Sequence, residues 1–258
     1  GEHTEDWNIS HPDVVQSVHK KYYDAGSNIV CANTFGANSL NFSEEKLEAV
    51  VKEALENVRF AASESGGKQE KFAALDIGPL GKLLKPFGDL EFEEAVSIFA
   101  ETVRLGVKYK ADLIVIETMN DSYETKAALL AAKENSELPV FVTNAYSEDG
   151  KLMTGATPEA MVAMLEGMGA DAAGANGSLG PKQLESVASR IIQAASVPVI
   201  MKPNAGMPKS VNGKTVFDVN AEAFSEEMVK FAKLGVNILG GCCGTDDEYI
   251  RLLVEKTK

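Results

Sequence analysis

Two adjacent thiols, Cys242 and Cys243, stand in the run Gly240-Gly241-Cys242-Cys243-Gly244-Thr245, directly after the apolar stretch Val236 to Leu239. The chain of 258 residues has only one other cysteine, Cys31, far upstream. Neighbouring cysteines can hardly bond to each other without distorting the peptide between them, so count and spacing speak against a disulfide framework and for a reducing compartment. Thr245 followed by Glu248 has the spacing of a capping box, which predicts a helix start here, its positive end facing the thiols and favouring negative sulfur. The pair therefore reads as a soft-metal site or a nucleophile, the alternative being two small buried residues in a glycine-rich turn. A zinc ion would need one or two further protein ligands.

Glu117 closes the otherwise apolar run Asp112 to Ile116 and should present a carboxylate at a strand mouth. There it could hold a substrate ammonium, act as a general base or bind metal, unless it is simply a solvated strand-end charge. Asp76, at the end of the Phe72 to Leu75 run, is a weaker candidate of the same kind. The three histidines, His3, His11 and His19, all precede the first strand, and His11 sits before Pro12 at a helix start capped by Ser10. With no histidine in a mouth loop, a histidine-based metal site or a Ser-His-Asp triad is disfavoured, and any transition metal must lean on sulfur. Cys31 is most simply a small buried strand residue, reach to the cysteine pair being its other reading. Gly240-Gly241 with Asn204-Ala205-Gly206 could also form a phosphate cradle, although that leaves the two thiols without a purpose.

Short apolar or β-branched runs position these residues: Ile29 to Cys31, Phe72 to Leu75, Leu113 to Ile116, Val140 to Thr143, Ala172 to Ala175, Val197 to Met201 and Val236 to Leu239. Segments of helical period separate them, as in Glu44 to Ala62, where Leu47, Val50, Val51, Ala54, Leu55 and Val58 share one face. Apolar strands alternating with helices predict a parallel sheet covered on its outer face. The runs recur about every 35 residues, near the period of a (β/α)8 barrel of about 250 residues. Seven strands and eight helices are predicted, because the helix Pro12 to Ala25 has no strand before it and the polar residues 1–10 cannot supply one. The expected fold is thus an α/β (β/α)8 TIM barrel lacking its first strand, with residues 1–258 as one domain. Strand-to-helix loops build the active site in this architecture, and here they carry Asn33-Thr34-Phe35-Gly36, Glu117-Thr118-Met119, Asn144, Asn176-Gly177-Ser178, Pro203-Asn204-Ala205-Gly206 and the cysteine pair.

A net charge of −13, from 25 Lys and Arg against 38 Asp and Glu, argues against a nucleic acid or an anionic membrane surface as partner and for a small molecule. No apolar run approaches the roughly 20 residues that cross a bilayer, and no basic segment leads into an apolar one. The expectation is a cytoplasmic protein. A start at Gly1 in place of Met suggests a processed, tagged or excised piece of a larger protein.

Together these residues resemble the homocysteine S-methyltransferase family, and within it most closely the N-terminal homocysteine-binding modules of cobalamin-dependent methionine synthases. The similarity runs through nearly the whole chain. Its anchors are Trp7 to Pro12, Asn33 to Asn38, Ile77-Gly78-Pro79, Glu117-Thr118-Met119, Glu148-Asp149-Gly150, Ser178 to Pro181, Lys202 to Pro208 and Gly240 to Thr245. The resemblance implies a zinc-dependent TIM barrel that binds the homocysteine thiol as a thiolate on zinc and passes it a methyl group to give methionine. It implies Cys242 and Cys243 as zinc ligands and Glu117 as the grip on the substrate ammonium. The methyl donor would come from another domain or a corrinoid protein, and cobalamin and folate would bind only to domains or partners outside this chain.

Two departures from the family pattern stand in the sequence. The third zinc cysteine of the family falls at Gly177, which has no ligand atom. The family's opening strand, with its Asp-Gly motif, is the one missing from the count. Both departures are expected to weaken zinc and homocysteine binding. The alternative reading is a non-catalytic or regulatory barrel of the same ancestry that binds a small amino acid without zinc. A further alternative is a metal-free barrel enzyme with Glu117 as base on a phosphorylated substrate.

Overall fold

The computed structural model describes residues 3–211 and 213–258. Among them the strands are β1 (Ile29–Cys31), β2 (Phe72–Ile77), β3 (Leu113–Met119), β4 (Val140–Asn144), β5 (Ala172–Asn176), β6 (Val199–Lys202), β7 (Pro208–Val211), β8 (Lys214–Phe217) and β9 (Ile238–Leu239). The helices are α1 (Trp7–Ser10), α2 (Pro12–Asp24), α3 (Glu44–Glu64), α4 (Phe92–Lys108), α5 (Ser122–Asn135), α6 (Pro158–Gly167), α7 (Pro181–Ala194), α8 (Ala221–Leu234) and α9 (Asp247–Thr257). In the main sheet the strand order is the chain order, β1-β2-β3-β4-β5-β6-β9, while β7 and β8 form a separate antiparallel hairpin. Strands and helices alternate in the (β/α)8 succession without its first strand, as the sequence pattern predicts. No helix among the described residues is long and apolar enough to cross a membrane.

The chain divides into two compact units, Gly1–Met119 with Tyr123–Phe141, and Asn120–Ser122 with Val142–Lys258. In the first, β1 pairs with β2 and β2 with β3, all parallel, with Cys31 opposite Ala74 and Asp76 opposite Val115. Alternation along these strands gathers Ala74, Leu113 and Val115 on one face with Ile29 and Cys31 against them. The helix α3 forms because Leu47, Val50, Val51, Ala54, Leu55 and Val58 recur at helical spacing; all are buried, each leucine and valine contributing about 1.5–3 kcal/mol. Glu44 and Glu45 in its first turn complement the positive helix start.

Ahead of β1 the chain is helical, not extended. Residues Thr4–Asp6 form a 3-10 turn that runs into α1. This segment is tied to the loop after β1: the buried Glu5 accepts the Gly36 N–H at 2.6 Å, Asn33 donates to Thr4 O at 2.9 Å, and Asn8 donates to Asn33 O at 2.7 Å. β1 is therefore a short edge of three residues with β2 as its one neighbour among the described strands. Ser10 does not cap α2 as predicted. His11 is the cap residue, and the Ser10 hydroxyl is spent on Asp6 O and on His11 Nδ1.

In the second unit β5 pairs with β6 and β6 with β9, again parallel. Ala175, Val199, Met201 and Leu239 turn into a core built with Leu184, Ile191, Phe224, Met228 and Phe231 from the covering helices. Period-two alternation then leaves Asn176, Ile200 and Lys202 on the opposite face, with Asn176 and Lys202 in register at its end. α9 starts later than the capping-box spacing predicts. Asp246 is its cap, accepting from Glu248 N–H and Tyr249 N–H, because the Thr245 hydroxyl donates to Cys242 O instead.

Candidate functional site

The cysteine pair follows β9, and every backbone polar group of Cys242 and Cys243 is engaged. Cys242 N–H donates to Pro203 O at 2.9 Å, and Cys242 O accepts from Thr245 N–H at 3.1 Å and from its hydroxyl at 2.7 Å. Cys243 N–H donates to Asn204 Oδ1 at 3.0 Å, and Cys243 O accepts from Ala205 N–H at 2.9 Å. Gly241 is required because a Cβ there would come within 2.3 Å of the Thr245 hydroxyl. The main chain is thus fixed while the two sulfurs project from it, Cys242 half-buried and Cys243 exposed, and none of the three cysteines is in a disulfide.

The same bonds take three of the five N–H groups that the phosphate-cradle reading calls on, those of Gly240, Asn204 and Ala205. The N–H groups of Gly240, Cys242, Cys243, Asn204 and Ala205 are all spent within the protein, on Met201 O, Pro203 O, Asn204 Oδ1, Leu179 O and Cys243 O in turn. A cradle needs N–H groups turned outward.

Beside Cys242 stands Asn176, fully buried at the end of β5. The Thr143 hydroxyl donates to Asn176 Oδ1 at 2.6 Å, which orients the amide so that its Nδ2 donates to Cys242 Sγ at 3.7 Å. Gly177 follows in the left-handed region at φ 66°, held by its N–H to Lys202 O at 3.0 Å, and Ser178 continues at φ 55°. Two sulfurs and a glycine do not make a three-thiolate centre, and the neighbouring amide offers Cys242 a hydrogen-bond donor, not a further ligand. Among the described residues no three His, Cys, Asp or Glu side chains converge in a group that could hold a metal ion. Among the described residues the zinc site that the family resemblance implies is therefore incomplete.

Asn204 links two of these loops, with its N–H on Leu179 O at 3.0 Å and its side chain on Cys243 N–H. Replacing it with Leu strands a partly buried N–H at a cost of about 1–3 kcal/mol. Asn204→Leu should therefore lower the melting temperature by several degrees, while Asn204→Asp, which keeps the acceptor, should recover most of the loss; thermal denaturation of both variants checks this. The hairpin β7–β8 is rooted at the same place. Val219 N–H donates to Ala205 O, and Asp218 accepts from Met207 N–H at 3.0 Å while pairing with Lys209 at 2.9 Å. The Lys209 ammonium, then the Met207 N–H, hold the Asp218 carboxyl below the usual carboxylate range.

In the first unit, Glu117 lies half-buried near the end of β3, sharing by alternation the face of Leu113 and Val115. The next residue, Thr118, has φ 60°. A β-branched residue in the left-handed region costs about 1–3 kcal/mol and persists only where its surroundings over-determine the backbone. Here Ile116 and Met119 are fully buried on either side. Nothing in the sequence announces Thr118, since threonine gives no sign of its φ. Asp76 is buried at the end of β2, its backbone N–H and C=O both bonded to the Thr34 hydroxyl. Cys31 is half-buried in β1, not fully buried as its simplest reading has it.

Comparison with known proteins gives a consistent picture. The family model described as Homocysteine S-methyltransferase matches residues 2–257. The chain is 28% identical over 255 residues to the methionine synthases of Mycobacterium leprae and Mycobacterium tuberculosis, covering 95% of this chain in each case. It spans only about a fifth of their length, 21%. The crystal structure of the homocysteine methyltransferase MmuM from Escherichia coli, in its metallated form, superposes with a TM-score of 0.83 at 18% identity, covering 97% of this chain and 87% of that one. That likeness establishes the shared fold.

Proposed function

This chain belongs to the homocysteine S-methyltransferase family, and from that membership we propose that it is a single homocysteine-binding domain of the methionine synthase type whose sulfur site is incomplete. The observation that carries the reading is the cysteine pair, fixed by its backbone after β9, in a chain that the family model matches from end to end. In this reading Glu117 takes the substrate ammonium through charge and hydrogen bonding, and Cys242 and Cys243 form the sulfur-handling part of the domain. Zinc, where it binds in this family, keeps an alkyl thiol deprotonated yet nucleophilic; with Gly177 in place of a third ligand, this chain holds it weakly. The methyl group comes from a donor domain or a corrinoid protein, and in this reading cobalamin and folate bind there and not to the barrel.

Two measurements test the proposal. Homocysteine should bind the full chain in isothermal titration, and Glu117→Ala should weaken that binding about tenfold, with Glu117→Gln between the two. Methylcobalamin with homocysteine and added zinc should then yield methionine slowly. Homocysteine binding unchanged by Glu117→Ala would remove the assigned role. A second reading, a non-catalytic barrel that binds a small amino acid without zinc, is favoured by Gly177 and the two-sulfur donor set. Binding of homocysteine with no methionine formed at any zinc concentration would select it.

A further inference from the structure

We propose that Phe35 sets substrate specificity: its exposed phenyl ring covers the aliphatic chain of an amino acid whose ammonium group Glu117 holds, and so separates homocysteine from the shorter cysteine. The inference rests on the role of Glu117 given above and adds the apolar contact that this role leaves open. All the residues it uses belong to the first unit. The turn Asn33 to Gly36 after β1 is fixed from two sides. On one, the Thr34 hydroxyl is bonded to the N–H and the C=O of Asp76 at 3.0 and 2.9 Å, and Gly78 N–H donates to Phe35 O at 2.9 Å. On the other, Gly36 N–H donates to the buried Glu5 carboxylate at 2.6 Å. The Phe35 ring then lies where a side chain of residue 78 would otherwise stand, since a Cβ on Gly78 would come within 2.6 Å of it.

Register sets that space beside Glu117. Asp76 pairs with Val115 and Ile77 with Ile116, so the next step along both chains brings Gly78 opposite Glu117. Opposite residues on neighbouring strands direct their side chains to one face, about 4.8 Å apart. The ring over Gly78 therefore stands on the Glu117 face, one strand away. It is 40% exposed although the turn that carries it is fixed, so the ring is only partly used in packing and keeps an apolar surface open at the strand ends, where this architecture binds its ligands. A carboxylate and a phenyl surface one strand apart match an α-amino acid with an apolar chain: the ammonium on the first, the methylenes on the second. Homocysteine has one more methylene than cysteine to lay there, and a methylene in an apolar contact is worth about tenfold or more in discrimination.

The test titrates homocysteine and cysteine into the full chain by calorimetry, for the parent, Phe35→Ala, Phe35→Leu and Glu117→Ala, with circular dichroism to confirm that all four fold. The parent should prefer homocysteine about tenfold. Phe35→Ala should lose most of that preference by weakening homocysteine more than cysteine, and Phe35→Leu, which keeps an apolar surface, should retain most of it. Glu117→Ala should weaken both ligands alike, because both carry the ammonium. A ratio of the two affinities unchanged in Phe35→Ala would overturn the role of Phe35, since a loosened turn affects both ligands equally. Homocysteine binding that Glu117→Ala leaves unchanged would instead overturn the reading of Glu117 on which the inference rests.

Discussion

Gly177→Cys should bind zinc about a hundredfold more tightly than the parent chain in competition with a chromophoric chelator, equivalent to about 3 kcal/mol. The gain would come from a third thiolate donor at the position where the family resemblance places one. Against it stands the cost of a side chain in the left-handed region, of order 1 kcal/mol or somewhat more. The backbone already bears that cost one residue on, where Ser178 sits at φ 55° with a full side chain. The bonds from Gly177 N–H to Lys202 O and from Leu179 N–H to Gly177 O keep the turn in place, so the new residue meets a preset conformation. If Gly177→Cys binds zinc no better than the parent, position 177 does not address the pair and the assignment of the third ligand position is wrong. Gly177→Ser separates ligand from strain, since it carries a comparable backbone cost with a poor zinc donor.

Stability should fall steeply in mild acid because of His19. This residue is buried in α2, its Nε2 has no hydrogen-bond partner, and burial lowers its pKa to about 4. In the unfolded chain it titrates near 6.5, so between those values the unfolded state binds the proton and the folded state does not. Stability from this group is therefore present above pH 6.5 and is lost as pH falls toward 4, by about 3 kcal/mol in all. Urea unfolding midpoints at pH 7.5 and pH 4.5 measure most of that loss. His19→Leu should flatten the dependence across this window, because an apolar side chain has no proton to take up. The carboxylates held below their ordinary range by cationic partners, such as Asp24 by Lys20, act in the same direction only in stronger acid. A pH dependence undiminished in His19→Leu would place its origin elsewhere.

The seven main strands were legible because each is a short apolar run between helical segments, and the pairings Ile29 with Phe72 and Ala74 with Leu113 follow from their order. Their ends were less legible. β3 continues through Glu117 to Met119, and β5 through Asn176, because polar residues at strand ends keep the ladder while breaking the apolar pattern. The hairpin β7–β8 went unread, since its residues are largely exposed and carry no alternation toward a core. The helical turns at residues 4–10 were hidden for a related reason: side-chain bonds such as Glu5 to Gly36 hold them, and such bonds leave no periodic trace. At the candidate sulfur site the thiols stood out by residue type, and Gly177 only through the family resemblance. The Thr143–Asn176–Cys242 chain of bonds could not, because it joins residues far apart in sequence through geometry alone.

Ala205 has a mechanical consequence. Its N–H is bonded to Cys243 O and its carbonyl to Val219 N–H, so it stands at the foot of the hairpin Pro208–Phe217 with the cysteine pair on its other side. The hairpin is a lever and Ala205 its fulcrum. A load that tilts the exposed arm reaches the Cys243 carbonyl through two hydrogen bonds.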